Sequence, residues 1–319
     1  MGKNVVTKKL ISIIVPVFNE VDNLEPLLEA LNPVLAASSD RYHFEIIFTD
    51  NHSTDGTFAK LQEIAKDDGR IRALRFSRNF GVQKSILTGL LNAEGDAAIQ
   101  IDCDLQDPPE LIPEFLKYWE EGNEVVYGVR RSRKENIIMN ATRSIFYRII
   151  NWLSEIDVPL NAGDFRLIDR KILDLLAQVN DRSPYLRGII STFGFRQVGI
   201  PYDRDERKHG KSKFTMGEYF LVALDGIISQ SVVPLRLATH VGIAIAILMM
   251  MSILALIIGK WVFDADMPRG YPTTLLVILF GISLNALFLG IIGEYLARIY
   301  KQSVPAPLTI VEERFPKKD

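Results

Sequence analysis

Cysteine is almost absent from this 319-residue chain: Cys103 stands alone, so no internal disulfide framework can form and a reducing compartment suits it. Neither sign of charge is in excess, with 37 basic against 39 acidic residues, which excludes a globally cationic nucleic-acid binder. No internal repeat is present. No signal peptide opens the chain, since the apolar run after Lys3, Lys8 and Lys9 is broken by Pro16 and Asn19. Charge is also missing locally. Val241 to Gly259 and Gly270 to Gly293 hold no charged residue. At about 1.5 Å per residue, each run can cross a hydrocarbon core about 30 Å thick as a helix. The short link from Lys260 to Arg269 makes the pair a hairpin. Arg236 before it, and Arg298 and Lys301 after it, put the N-terminal part and the tail on the cytoplasmic side.

What is present before the hairpin alternates. Leu10–Val15 is β-rich and ends at Pro16, and leucines 24, 27, 28, 31 and 35 then share one helical face. Phe44–Thr49 is a second strand running into Asp50-Asn51-His52-Ser53-Thr54-Asp55-Gly56-Thr57, where Ser53, Thr54 or Asp55 can cap the next helix. Ile71–Phe76, Ala97–Ile101 and Glu124–Tyr127 continue the pattern, with a helix through Leu90 between the first two. Strands alternating with helices predict an α/β, Rossmann-like, mainly parallel sheet, with ligands outside the strands' carboxyl ends. Polar clusters fall there after Val15, after Thr49 and after Ile101.

The last cluster, Gln100-Ile101-Asp102-Cys103-Asp104-Leu105-Gln106-Asp107-Pro108, organises the rest. On an extended strand Asp102 and Asp104 face one side, and hard cations such as Mg²⁺ take one or two carboxylates plus substrate phosphates. A charged surface turn is the bland alternative, with Cys103 a small buried spacer. Beyond Gly128 the alternation fades. Asn140–Leu153 is aromatic on one side and basic on another, which suits either a membrane interface or a helix packed on the sheet. Arg204–Lys213 sets Gly210 and Ser212 among cations, as closure over a phosphate would need. The expected layout is a domain over about 1–230 with interfacial helices and a hairpin over about 231–300. Its spans fall at about 238–262 and 271–295, and an extended tail, 301–319, follows.

Val15 to Glu20, Asp50 to Thr57 and Asp102 to Asp107 together resemble a GT-A glycosyltransferase of family 2. With Gly163-Asp164-Phe165-Arg166-Leu167 and Arg207 to Lys213, residues 10 to 300 resemble the polyisoprenyl-phosphate branch. That branch includes dolichol-phosphate-mannose synthases and the bacterial two-span enzymes that put glucose on undecaprenyl phosphate. The resemblance implies a hexosyltransferase of cell-envelope glycan modification, in the inner membrane, with a nucleotide sugar and a lipid phosphate as partners. Pro16, Phe18, Glu20, Asp50 and Asp102 would hold the donor, closed over by Arg207, Ser212 and Lys213. Asp102, Asp104 and Gln106 would take Mg²⁺ or Mn²⁺, and Arg130 and Arg143 would face the lipid phosphate. Asp104 and Arg143 count among the catalytic residues, and Asp157 or Asp164 would orient the acceptor or accept a proton.

The expected donor is UDP-glucose, with GDP-mannose as the alternative, and a single displacement by an already ionised lipid phosphate would invert the centre. A non-catalytic membrane sensor that binds nucleotide sugars is the alternative from another class. One departure stands out: the family commonly reads Asp-Asp-Gly-Ser where this chain has Asp50-Asn51-His52-Ser53. The Gln-x-x-Arg-Trp signature of processive synthases is absent. Gly281, Ser283, Ala286, Gly290 and Gly293 offer small surfaces for a homo-oligomer, a tetramer among the options.

Overall fold

A computed structural model describes residues 8–131, 162–181, 184–203 and 270–316, with helical positions 235, 237–245, 247, 251 and 258. Two compact units result. One comprises Met1–Arg143, Asp157–Phe214 and Pro305–Asp319; the other comprises Ser144–Ile156 and Thr215–Val304.

The first unit is built on an eight-stranded sheet. In chain order its strands are β1 (Lys9–Val17), β2 (Tyr42–Asp50), β3 (Ile71–Phe76), β4 (Ala97–Gln100), β5 (Val125–Arg130), β6 (Ala162–Asp169), β7 (Gln197–Tyr202) and β8 (Val311–Phe315). They lie side by side as β7-β5-β6-β4-β1-β2-β3-β8. β4-β1-β2-β3 and the pair β5-β7 are parallel, while β6 and β8 run antiparallel to their neighbours. The mainly parallel α/β sheet expected from the alternation is therefore present.

Helices cover both faces, which is why β1 and β2 read as continuous apolar runs rather than alternating ones. α1 (Leu24–Ala37), α2 (Thr57–Asp67) and α4 (Ile112–Glu120) pack on one face, with Leu27, Leu31, Leu61, Phe115 and Trp119 against Ile13, Phe48 and Phe165. α3 (Val82–Leu91), α5 (Arg170–Leu176) and α6 (Leu186–Thr192) cover the other, with Ile86, Leu90, Ile172, Leu186 and Ile190 against Ile14, Ile47 and Ile168. Each such fully buried side chain contributes roughly 1.5–3 kcal/mol relative to exposure. Gly89 lets α3 sit close, since a Cβ there would lie 2.4 Å from Ile14 Cγ2.

Three expectations need correction. β4 ends at Gln100, so Asp102 lies beyond the strand and Asp104 in the turn that follows, and strand alternation does not set their direction. Leu105, at φ 56°, and the following prolines bend the chain there. The fifth strand runs on to Arg130, which places that arginine at its end. The tail is no featureless extension: β8 pairs antiparallel with β3, between Ala73 and Phe315 at one end and Phe76 and Val311 at the other. Its charged centre, Glu312-Glu313-Arg314, hid a strand whose side chains are mostly exposed on the sheet's edge.

The second unit contains α7 (Tyr271–Ser303), a single helix of 33 residues that includes the uncharged run from Gly270. Gly242 faces it, its Cβ position 3.4 Å from the Phe288 ring. Among the described residues no helix is long and apolar enough to cross a membrane. Most of the first expected span lies outside the described residues.

Candidate active site

β1 hands on to β2 on one side, while β4 flanks β1 on the other, so the direction of winding reverses between β1 and β4. Crevices at such reversals, beyond the carboxyl ends of the strands, are where open α/β sheets bind ligands. A cleft of ≈ 190 Å³ lies there, lined by Pro16 and Val17 at the end of β1, Phe18 and Glu20 after it, Asn51 after β2, Val82 and Ser85 of α3, and Asp102, Cys103 and Asp104 after β4. Each of the three loops holds one non-glycine residue in the left-handed region: Asn19 at φ 56°, His52 at 66° and Leu105 at 56°. Such conformations cost about 1–3 kcal/mol each and persist where surrounding contacts impose them.

Those contacts are visible. The Asn19 amide donates to Ser53 Oγ at 2.9 Å, and Asn19 Oδ1 accepts from the Thr54 amide at 2.8 Å. The Glu20 amide donates to Thr57 Oγ1 at 3.0 Å, and the Asp55 carboxylate accepts from the Val21 and Thr57 amides at 3.2 and 3.0 Å. The loops after β1 and β2 thus form one rigid wall. Asp50 belongs behind it. Its side chain is fully buried, with Oδ1 accepting from the Ser53 amide at 3.0 Å and Oδ2 3.9 Å from Arg75 Nε. Burial raises the Asp50 pKa, against the Ser53 hydrogen bonds and Arg75. Asn51 reaches the cleft instead, with its Oδ1 accepting from the Phe80 amide at 2.8 Å.

The opposite wall is acidic. Asp102 is pushed up to about 7, first by burial and then by the carboxylates of Asp107, Asp164 and Asp104, with Arg130 opposing. The Asp104 carboxylate accepts from the Gln106 amide at 3.2 Å. Cys103 between them is buried and packs into the core, where burial raises its thiol well above the ordinary range. No group of three or more acids, histidines or cysteines converges in metal-holding geometry among the described residues.

Two further carboxylates lie near Asp102, Asp107 fully buried and Asp164 partly so, each engaging an arginine. Asp107 accepts from the Tyr202 hydroxyl and lies 3.7 Å from the Arg130 guanidinium, whose Nε donates to Tyr202 at 3.3 Å. Asp164 accepts from Arg187 Nε at 2.7 Å, with Arg166 3.9 Å away. Burial alone would raise Asp164, but the charge and hydrogen bond of Arg187, then Arg166 and Arg130, hold it below the ordinary range. Arg166 is buried and donates to the Gly163 carbonyl at 3.0 Å; desolvation lowers its pKa to about 10.

Residues 12–176, just over half of the chain, match the model of glycosyl transferase family 2. The chain belongs to that family. This glycosyltransferase is 37% identical over 305 residues to the uncharacterized glycosyltransferase YkcC of Bacillus subtilis (strain 168), covering 95% of this chain and 94% of that one. It is 34% identical over 303 residues to the bactoprenol glucosyl transferase of Shigella phage SfV, covering 95% and 98%. Among solved structures it is similar to the mannosyltransferase PcManGT from Pyrobaculum calidifontis, at 17% identity over 89% of this chain and 88% of that one, with a TM-score of 0.45.

Of the residues singled out in the sequence of this family 2 enzyme, the fold gathers Pro16, Phe18, Glu20, Asp102 and Asp104 around one cleft. Gln106, Arg130 and Asp164 stand close by, and Asp50 lies beneath. Arg143, Asp157, Arg207, Ser212 and Lys213 fall outside the described residues. Sequence reasoning missed Arg187, Tyr202, Ser85 and the part played by Asp107. No local pattern marks the first two, whose partners lie 23 and 95 residues away.

Proposed function

We propose that this enzyme transfers glucose from UDP-glucose to the phosphate of a polyisoprenyl carrier such as undecaprenyl phosphate, with inversion. The observation that carries the reading is the pair Asp102 and Asp104 lining the cleft, where burial first, and then the carboxylates of Asp107, Asp164 and Asp104, push Asp102 up to about 7. Such a site suits a divalent cation. Mg²⁺ or Mn²⁺ needs only one or two protein carboxylates when substrate phosphates complete its shell, so Asp102 and Asp104, with Gln106 beside them, fit it. Bound there, the cation supplies positive charge against which a diphosphate can leave.

The chain's own residues do the remaining work. Phe18, 44% exposed at the cleft mouth, offers a ring for the nucleoside base beside Pro16 and Glu20. Asp50 acts through the wall it braces. An oxygen of the carrier's phosphate attacks the anomeric carbon, forming one C–O bond while the bond to the donor's β-phosphate breaks and UDP departs. A single displacement inverts the centre, so an α-linked donor yields a β-linked product. The nucleophile is already ionised, since a phosphate monoester's second pKa is about 6, and a strong base is unnecessary. Asp164, held ionised by Arg187, is suited to orientation rather than proton transfer, which leaves Asp157 for any residual proton.

The carrier implies a membrane. Pro305–Asp319 belongs to the same unit as the N-terminal domain, so the intervening chain must cross an even number of times if it crosses at all. Two uncharged runs, and exposed apolar residues such as Ile247, Met251, Phe280, Ile282 and Leu289, support a two-helix hairpin in the cytoplasmic membrane. Catalytic domain and tail then share the cytoplasmic side. Gly281, Gly290 and Gly293 leave open space at their Cβ positions, which supports homo-oligomerisation through the hairpin.

The test incubates the full-length enzyme in liposomes with undecaprenyl phosphate, Mg²⁺ and radiolabelled UDP-glucose. Label should enter the lipid phase. Transfer from GDP-mannose alone overturns the donor, and transfer from neither overturns the reading.

A further inference from the structure

The sheet order places the cleft and its base-binding residues over β1 and β2, with the acid pair after β4. β6 and β5 lie on the far side of β4, away from the nucleoside. Two guanidinium groups stand there. Arg130 ends β5, and Arg187 opens α6, which is fixed by buried Leu186 and Ile190 and by the Leu186 amide donating to Gln83 Oε1 at 3.2 Å.

Both are held by their inner edges. Arg130 gives Nε to Tyr202, and Arg187 gives Nε to Asp164. The side chains remain 32% and 28% exposed, so neither guanidinium is sealed from solvent. Gly163 makes room for the first, since a Cβ there would meet Arg130 Nε and a terminal nitrogen at 3.4 Å. In the β4–β6 ladder Gln100 opposes Arg166, so the chain positions two residues on, Asp102 and Asp164, come next at the same end of the sheet. Asp102 lies within electrostatic reach of both arginines. The two forks thus stand beyond the acid pair, pre-oriented and partly exposed, the arrangement that recognises a phosphate in bidentate fashion.

We infer that Arg187, oriented by Asp164, binds the phosphate of the acceptor together with Arg130, on the side of Asp102 opposite the nucleotide. This rests on the proposed transfer to a lipid phosphate. It makes the Asp164–Arg187 pair a device for specificity: an acceptor with a phosphate monoester engages both forks, whereas a neutral hydroxyl acceptor would leave them unmatched.

The test is steady-state kinetics on the full-length enzyme in liposomes, varying UDP-glucose and undecaprenyl phosphate separately. Arg187→Gln keeps a donor for Asp164 and removes the charge. It should raise the KM for undecaprenyl phosphate about tenfold or more, since a charge-assisted hydrogen bond is at stake, while leaving the KM for UDP-glucose unchanged. Arg187→Lys should recover part of the loss, having the charge without the fork. A rise confined to the UDP-glucose KM would move Arg187 to the donor diphosphate and overturn the assignment. A fall in kcat with both KM values unchanged would make it a structural partner of Asp164 and overturn it equally. If Arg187→Gln does not fold, Asp164→Asn/Arg187→Gln, which removes both charges, is measured in the same way. A wild-type enzyme that glycosylates no lipid phosphate would sink the underlying reading; normal wild-type transfer with an unchanged variant sinks only this inference.

Discussion

The Tyr202 hydroxyl donates to Oδ1 of Asp107, so the end of β7 is tied to the loop after β4, with β5 and β6 lying between those strands in the sheet. Asp107 is fully buried, and the same hydroxyl accepts from Arg130 Nε. Tyr202→Phe keeps the ring and removes a donor from a buried carboxylate, at a cost of about 1–3 kcal/mol. A lowered thermal midpoint in detergent is the first expected outcome. A raised KM for the lipid phosphate is the second, because Arg130 loses its inner anchor. A variant matching wild type in both would show that Asp107 and Arg130 hold their places without the tyrosine.

How far the chain discloses this arrangement depends on the range of the forces involved. β1 to β5 were legible because each is a short apolar run followed by turn or capping residues, a pattern written within ten residues. β6 carries Gly163, Asp164 and Arg166 among its apolar positions, and its strand character comes from pairing with β4 and β5. β8 is charged and edge-bound, so only its partner β3 makes it a strand. At the site, Asp102 and Asp104 were legible as a pair, yet the reason they share a cleft is a turn shaped by Leu105 rather than strand alternation. Asp50 was legible as important, but Ser53 and Arg75 turn it inward, and neither contact follows from spacing alone.

Asp104→Ala tests the cation site. Asp104 lines the cleft beside Asp102, and these two carboxylates are the ones proposed to hold the cation. Removing one should abolish metal-dependent turnover while the thermal midpoint stays close to that of the wild type, since the side chain is partly exposed. Mn²⁺ titration by calorimetry in the presence of UDP reads the same loss without turnover. Undiminished Mn²⁺ binding would place the cation elsewhere.

Gly89→Ala weighs helix propensity against packing. Alanine gains about 1 kcal/mol over glycine inside a helix. The new Cβ would lie 2.4 Å from Ile14 Cγ2 and 3.3 Å from Thr49 Cγ2, on strands packed from both faces. Overpacking typically costs about 1–3 kcal/mol, so the net effect should be destabilising, seen as a lower thermal midpoint. Because α3 also carries Val82 and Ser85 to the cleft, the KM for UDP-glucose should rise with it. A stabilised variant would mean that α3 slides freely on the sheet.

Deleting residues 305–319 would strip β8 from β3. Lost with it are the Ser77 amide bond to the Ile310 carbonyl at 3.0 Å, the Thr88–Thr309 hydroxyl contact at 2.8 Å and the Arg314–Asn92 bond at 2.9 Å. An uncovered edge strand is a template for intermolecular pairing. The truncated protein should melt at lower temperature and aggregate at concentrations where the full chain stays dispersed, read by light scattering. Unchanged melting and scattering would show that β3 needs no cover.

Asp164 gives the pair with Arg187 a signature in pH. Its folded-state pKa lies below the ordinary carboxylate value because Arg187 outweighs the effect of burial. A depressed carboxylate contributes stability that is fully present above its unfolded pKa of about 4 and is lost as pH falls through the folded value. In Arg187→Gln the principal cause of the depression is gone, so that contribution is already missing at neutral pH. The difference in thermal midpoint between wild type and variant should therefore be widest near pH 6 to 7 and close as pH falls from about 5 toward 3. A gap that stays constant over that range would mean the loss comes from packing of the arginine's stem, with the carboxylate's charge playing no part.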